Sequence, residues 1–224
     1  VSDGTVPARD LELLRSLHDC VEVRVLDELL AERDDVPPAV ADWAADAFHG
    51  GKLALLTGLG RSAPPTEVFL DSDVLFLPGA AGFVEWVADA DRLPAFLADY
   101  RPAFDGRLLI DEDLAAPWLN GGLLVVDEPL DWSEADARLA AVDLDEAGHA
   151  GTEQTCTHLA ARAAGAAALP GDVAVLTVED AGSRRDVALD RPDAWLRHYV
   201  SGQRTKLWRA AARQRFWLRP PWRP

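Results

Sequence analysis

The chain has 224 residues, with 22 Lys and Arg against 38 Asp and Glu, for a formal net charge of −16. At 49% hydrophobic and 27% charged it has the apolar content for a real core, which excludes collagen-like and disordered classes; the acid excess argues against a nucleic-acid partner. Cys20 and Cys156 are too few for a disulfide framework and stand in no zinc-binding spacing, so a reducing, cytoplasmic setting is the expectation.

No apolar run approaches the roughly 18 to 20 residues of a spanning helix, and the start lacks a signal-peptide pattern, so the chain reads as soluble. Val1-Ser2-Asp3-Gly4 reads as a strand end entering a turn, and a strand upstream of this sequence is therefore expected. Thr5, Pro7 and the spacing Leu11, Leu14, Leu17 predict a capped helix, followed by an alternating strand over 21–25. A helix is predicted over 38–48, broken by the turn His49-Gly50-Gly51, with helix again over 52–59. Val68-Phe69-Leu70 is a continuous apolar run of the kind buried on both faces of a sheet. Strands are predicted over 107–110, 123–126 and 173–178, and a helix over 153–164. Strands alternating with helices at this spacing predict an α/β fold with a mostly parallel sheet flanked by helices. One domain is expected over 1–196, followed by a distinct C-terminal region over 197–224. After Asp193 there is no acidic residue, and Arg197, Arg204, Lys206, Arg209, Arg213, Arg215, Arg219 and Arg223 give that end +8, leaving −24 for the rest.

Asp71-Ser72-Asp73 ends the apolar run, the place where open α/β sheets put their ligands. Two carboxylates there repel, and a divalent cation is the simplest relief; neutralising one of them is expected to stabilise the metal-free protein. The alternative is an ordinary acidic turn. The flanks, Val-Phe-Leu before the motif and Val-Leu-Phe-Leu after it, favour the metal site.

This frame resembles the DxD motif of GT-A-fold glycosyltransferases, a Rossmann-like fold for nucleotide-diphospho-sugar transfer, and other segments in the same order are similar to glycosyltransferase family 8, the glycogenin-like group. Gly51-Lys52-Leu53 resembles that family's Lys-Leu helix start beside the donor. Leu119-Asn120-Gly121-Gly122-Leu123 resembles its Asn-Ser-Gly segment at the donor sugar, and Thr152-Glu153-Gln154 its Asp-Gln pair, with Glu in place of Asp. The stretch from His198 through Gly202 and Lys206 to Trp208 resembles the closing HxxGxxKPW motif, two residues longer and with Leu207 for Pro. The resemblance implies Mn2+ or Mg2+ held by Asp71, Asp73 and His198. It further implies a nucleotide-diphosphate sugar met by Lys52, Asp71, Gly202 and Lys206, and a sugar oriented by Asn120, Glu153 and Gln154. It also implies retention of the anomeric configuration; the acceptor is expected to be a glycan, or lipid-linked if the C-terminal tail touches a membrane. The chain has 20 Arg and only two Lys, and these are Lys52 and Lys206; a compact ammonium meets phosphate as a point charge. His18, His49, His149 and His158 read as surface or core residues.

Asp71-Ser72-Asp73-Val74-Leu75 also fits the nucleophile loop of haloacid-dehalogenase-type phosphatases, with Asp111-Glu112-Asp113 as the later acidic pair and Lys206 as the late Lys. A non-catalytic, transferase-like binding domain is the third reading. At the C-terminus, Lys206, Arg209 and Arg213 fall on one side of a helical wheel and Leu207, Trp208, Ala211 and Leu218 on the other. Phe216, Trp217 and Trp222 follow among Arg215, Arg219 and Arg223, with Pro220 and Pro221, a mixture suited either to an anionic membrane surface or to packing on the acidic body.

Overall fold

The structure, a computed structural model, describes residues 6–16, 18–61, 66–89, 93–143, 150–180, 183 and 185–217, and of 150 and 214–217 the backbone alone. The elements in chain order are helices α1 Ala8–Arg15, α2 Leu26–Ala31, α3 Pro38–Asp46 and α4 Phe48–Leu56; strands β1 Glu67–Leu70 and β2 Val74–Phe76; helix α5 Ala80–Val87; strands β3 Ala95–Ala98 and β4 Leu119–Val126; helices α6 Ser133–Ala140 and α7 Ala150–Ala163; strands β5 Ala167–Ala168, β6 Ala174–Val175 and β7 Leu196–His198; and helix α8 Arg204–Trp217. The fold is mixed α/β.

The described strands form two small sheets, ordered β1-β4-β3-β5 and β2-β7-β6. The mostly parallel sheet expected from the sequence is corrected: β4 runs antiparallel to both β1 and β3, and β7 antiparallel to β2, while only β3–β5 and β6–β7 are parallel. Alternation of strands and helices does not fix direction, because β4 returns between β1 and β3 after irregular chain rather than after a crossover helix. β4 is the doubly covered strand. Its Leu124 and Val126 enter the core made with Val40, Trp43, Leu53 and Leu159 of the helices. Leu123 and Val125 point the other way, against Phe83, Leu97 and Leu196, as the two-residue period of a strand requires. The Val68-Phe69-Leu70 run lies instead on edge strand β1 and is only half-buried.

Other local expectations shift for identifiable reasons. The strand expected over 107–110 is irregular, its chain tied by a turn in which Leu108 N donates to Asp105 O. Over 21–25 no strand forms: Val25, in extended conformation, makes an isolated bridge, and α2 starts at Leu26. The break between α3 and α4 falls at Ala47, in extended conformation, and not at the glycines. Gly50 lies inside α4, where a Cβ would sit 2.5 Å from the Trp43 carbonyl oxygen; glycine here permits close helix approach. α1 starts after Pro7 without a side-chain cap; Thr5 and Leu17 lie outside the described residues, as do Val1 to Gly4 and His149. The division drawn between 196 and 197 falls within β7.

On α8 the described buried side chains are Lys206 and Ala210, while Trp208 is 77% exposed, so the helix turns a different face inward from the one the wheel suggests. Leu218, Arg219, Pro220, Pro221, Trp222 and Arg223 lie outside the described residues, as do the side chains of Arg215, Phe216 and Trp217. Cys20 is exposed and Cys156 buried, both free thiols. Among the described residues no helix is long and apolar enough to cross a membrane.

Candidate metal and ligand site

Strand pairing builds the site. β1 pairs with β4 so that Leu70 faces Leu123, and Asp71 N then donates to Gly122 O at 3.0 Å, which fixes the carboxylate at the strand end beside Asn120 to Gly122. After the Asp71-Ser72-Asp73 turn the chain enters β2, whose Val74 faces His198 of β7, and Tyr199 N donates to Asp73 O at 2.9 Å. That register delivers His198 to the acidic pair across 125 residues of sequence. A slip of one residue would turn it to the opposite face.

Ligand atoms of Asp71, Asp73 and His198 lie within 4.8 Å of one another, a gathering of three such groups that no other His, Cys, Asp or Glu residues make among the described residues. His198 Nε2 is 2.9 Å from Asp73 Oδ1 and 3.9 Å from Asp71 Oδ2. Oxygen ligands of small divalent cations stand about 2.0–2.6 Å from the ion, so three atoms at these separations fit around one centre after small rotations. The other ring nitrogen, Nδ1, is 2.8 Å from Asn120 Oδ1, which also accepts from Gly122 N at 3.0 Å. An oxygen accepting from a backbone N–H makes Nδ1 the donor, and leaves Nε2 facing the carboxylates, the arrangement a metal-ligating histidine needs. Gly122 makes room for it: a Cβ there would lie 2.3 Å from the His198 ring. The two carboxylates and one imidazole are a donor set that could hold a metal ion.

Cations already surround the acidic pair. Lys52 Nζ on α4 sits 2.9 Å from Asp71 Oδ1 and 3.4 Å from Glu153 Oε2, and donates to Gly121 O at 3.0 Å. Burial works against the Lys52 charge, but Glu153 and Asp71 outweigh it and hold its pKa above the ordinary lysine value. Arg204, at the start of α8, donates through Nε to Asp73 Oδ2 at 2.7 Å and is itself 68% exposed. Burial raises the Asp73 pKa, hydrogen bonds from His198 and Arg204 more than reverse this, and the carboxyl is brought down to about 2.

Near the start of α7, Gln154 Oε1 accepts from Gly121 N at 3.3 Å, while Gln154 Nε2 and Asn120 Nδ2 both donate to Asp99 Oδ2, at 3.3 and 2.9 Å. Glu153 is buried, and its Oε1 has no hydrogen-bond partner. That atom lies 2.9 Å from where a Gly121 side chain would begin. Burial, opposed by Lys52, pushes the Glu153 pKa up to about 7. Beside Asp71 a cavity of about 550 Å³ opens between Phe48 and Lys52 of α4 and Val68 to Leu70 of β1, within the size range of small-molecule sites.

Lys52, Asp71, Asp73, Asn120, Glu153, Gln154 and His198 therefore come together from five separated segments. Two residues expected with them do not join. Lys206, expected at a diphosphate, is buried with Nζ 3.0 Å from Asp180 Oδ2 and donating to the Arg185 carbonyl at 2.8 Å, because α8 turns that face inward. Gly202 is exposed in the turn Ser201–Gln203, with nothing within 4 Å of where its side chain would be. Asp99 and Arg204 were missed by the sequence reading. Arg204 lies within the closing motif, two residues before Lys206; Asp99 follows β3, the strand-end position that singled out Asp71, but no second acidic residue accompanies it. Of the other histidines, His158 is buried between Asp113 O and Leu119 N, and His49 carries an unpaired buried Nδ1. Compared with family models, curated proteins and solved structures, the chain matches none.

The Glu153 pKa carries a stability prediction. A carboxyl whose folded pKa of about 7 exceeds its ordinary 4.5 costs nothing below pH 4.5; the cost grows as pH rises, and is full above 7. Glu153→Gln should therefore unfold like the parent at pH 4.5 and gain about 3 kcal/mol at pH 8. Urea unfolding at the two pH values checks this; equal shifts at both would place the effect outside ionisation.

Proposed function

We propose that this chain is a metal-dependent glycosyltransferase, moving a sugar from a nucleotide-diphosphate sugar to a glycan or lipid-linked acceptor with retention of anomeric configuration. One observation carries the reading. Four short segments that resemble family 8 motifs at Lys52, Asp71-Ser72-Asp73, Asn120-Gly121-Gly122 and Glu153-Gln154, together with His198, converge on one site, although even the directly bonded Asp73 and His198 are 125 residues apart. A GT-A-like framework is part of the proposal, as are the roles below.

Asp71, Asp73 and His198 would hold Mn2+ or Mg2+, which when bound supplies positive charge against a departing diphosphate. Lys52, fixed by Asp71, Glu153 and Gly121 O, keeps a second positive charge in place without reorganisation. Arg204, exposed and aimed at Asp73, takes the phosphate-facing part that Lys206 cannot reach. The unpaired Glu153 Oε1 is an acceptor for a sugar hydroxyl entering the space left by Gly121. The mostly apolar cavity beside Asp71 and Phe69, with Lys52 and Asp71 at its wall, suits a nucleoside.

The phosphatase reading has less support. Asp113, its candidate acid, is bound to Arg138 and to Ile110 N, and among the described residues the group able to hold an ion at Asp71 and Asp73 is completed by His198 and not by a third carboxylate. The test is nucleoside diphosphate release from a panel of nucleotide sugars. Release is expected with Mn2+, should stop with chelator, and should fall about 100-fold or more in Asp71→Asn. Hydrolysis of p-nitrophenyl phosphate without any diphosphate release would replace the proposal by the phosphatase.

A further inference from the structure

His198 is held from behind by a chain of hydrogen bonds that ends on a residue with no part in the metal triad. Asp99 directly follows β3, and its backbone N–H donates to Trp118 O at 2.7 Å, which keeps it alongside the start of β4. There the β3–β4 register jumps from Phe96–Leu124 to Leu97–Asn120, bringing Asn120 next to the end of β3. Asp99 Oδ2 accepts from Asn120 Nδ2 at 2.9 Å and from Gln154 Nε2 at 3.3 Å. With its NH2 group committed to Asp99, the Asn120 amide must present oxygen on its other side, where Gly122 N and His198 Nδ1 meet it.

A carboxylate accepts only, so it can bind the NH2 group and not the oxygen of an amide. An amide turned the other way would face Asp99 with its oxygen and both Gly122 N–H and the histidine with its NH2, losing one contact and setting donor against donor at the other. We propose that Asp99 is a positioning residue: through Asn120 it sets the ring orientation of His198, so that Nε2 and not Nδ1 is presented to Asp71 and Asp73. This rests on the metal-site reading above. Asp99 does not touch the ion; it acts two contacts away, as outer partners of histidine ligands do.

The measurements are Mn2+ affinity by titration calorimetry and the 14N modulation in the spin-echo spectrum of protein-bound Mn2+, which reports a nitrogen ligand and which loss of general stability would not erase at saturation. Asp99→Leu and the smaller Asp99→Ala are expected to weaken Mn2+ binding about 10- to 100-fold and to reduce the 14N modulation. Asp99→Asn keeps an oxygen for the Asn120 NH2 group and should retain affinity within about threefold, with the modulation intact, on the same reasoning. If Asp99→Leu and Asp99→Ala, folded by circular dichroism, bind Mn2+ like the parent with unchanged modulation, the positioning role is overturned while the metal site stands. If the parent itself shows no Mn2+ binding, or binds without 14N modulation, the metal reading or the His198 ligand falls, and the positioning role falls with it.

Discussion

Asp73→Asn is expected to abolish tight Mn2+ binding and, at pH 7, to cost the metal-free protein about 2 kcal/mol. The second half reverses the expectation from sequence, where two neighbouring carboxylates repel and neutralising one relieves the strain. In the structure the pair is not bare. His198 and Arg204 both bond Asp73, and Lys52 holds Asp71, so positive and polar groups already compensate the charge. Burial raises the Asp73 pKa, the His198 and Arg204 hydrogen bonds reverse that, and the folded value of about 2 lies below the ordinary 3.8. A depressed carboxyl stabilises above its unfolded pKa and loses that stabilisation as pH falls through the folded one. The deficit of Asp73→Asn against the parent should accordingly be full above pH 4 and close toward pH 2. Urea unfolding in chelator from pH 2 to 7, with Mn2+ titration at pH 7, measures both parts. A variant more stable than the parent at pH 7 would return the repulsion account.

Arg197→Met is expected to destabilise the protein by about 3–5 kcal/mol, the largest single effect foreseen for this chain. Arg197 is fully buried on β7, next to His198. Its guanidinium makes a bidentate pair with Asp180, at 2.9 and 2.8 Å, bonds Asp186, and lies 4.8 Å from the centre of the Tyr199 ring. Lys206 adds a second positive charge on Asp180, and Tyr199 donates to Asp186 at 2.8 Å. Burial raises the Asp180 pKa, but Arg197 and Lys206 hold its carboxyl far below the ordinary range. Removing the guanidinium leaves two buried carboxylates with one cation, which is costly, whereas removing charges in matched numbers is not. Arg197→Met combined with Asp186→Asn should recover part of the loss in chemical unfolding. A single variant within about 1 kcal/mol of the parent would mean that water reaches the carboxylates and solvates them.

This network also explains why Lys206 stands apart from the acidic pair. A lysine two residues beyond Arg204 in a motif that resembles a phosphate-binding segment is a reasonable anion partner, and composition singles it out. Which of the two cations faces the acidic pair depends on the rotation of α8, and that is set by Lys206 and Ala210 turning inward toward Asp180 while Arg204 stays at the surface beside Asp73. Helical periodicity of apolar residues did not reveal this, because the buried face carries a paired charge and Trp208 points outward.

By itself the sequence determined the α/β class, a helix over 153–164 where α7 runs Ala150–Ala163, a strand at 68–70 within β1 Glu67–Leu70 ending in two carboxylates, and the residue types for a candidate cation site, since these depend on local spacing and on chemistry carried by single side chains. Tertiary structure decided the rest. Strand direction followed from how β4 returns between β1 and β3, and not from any local preference. His198 became a partner of Asp73 through the β2–β7 register, and Asp99 gained a role only because a register jump set it beside Asn120. Such pairings join residues far apart in the chain, and their free energy comes from burial and hydrogen bonds that exist only once the sheets have formed.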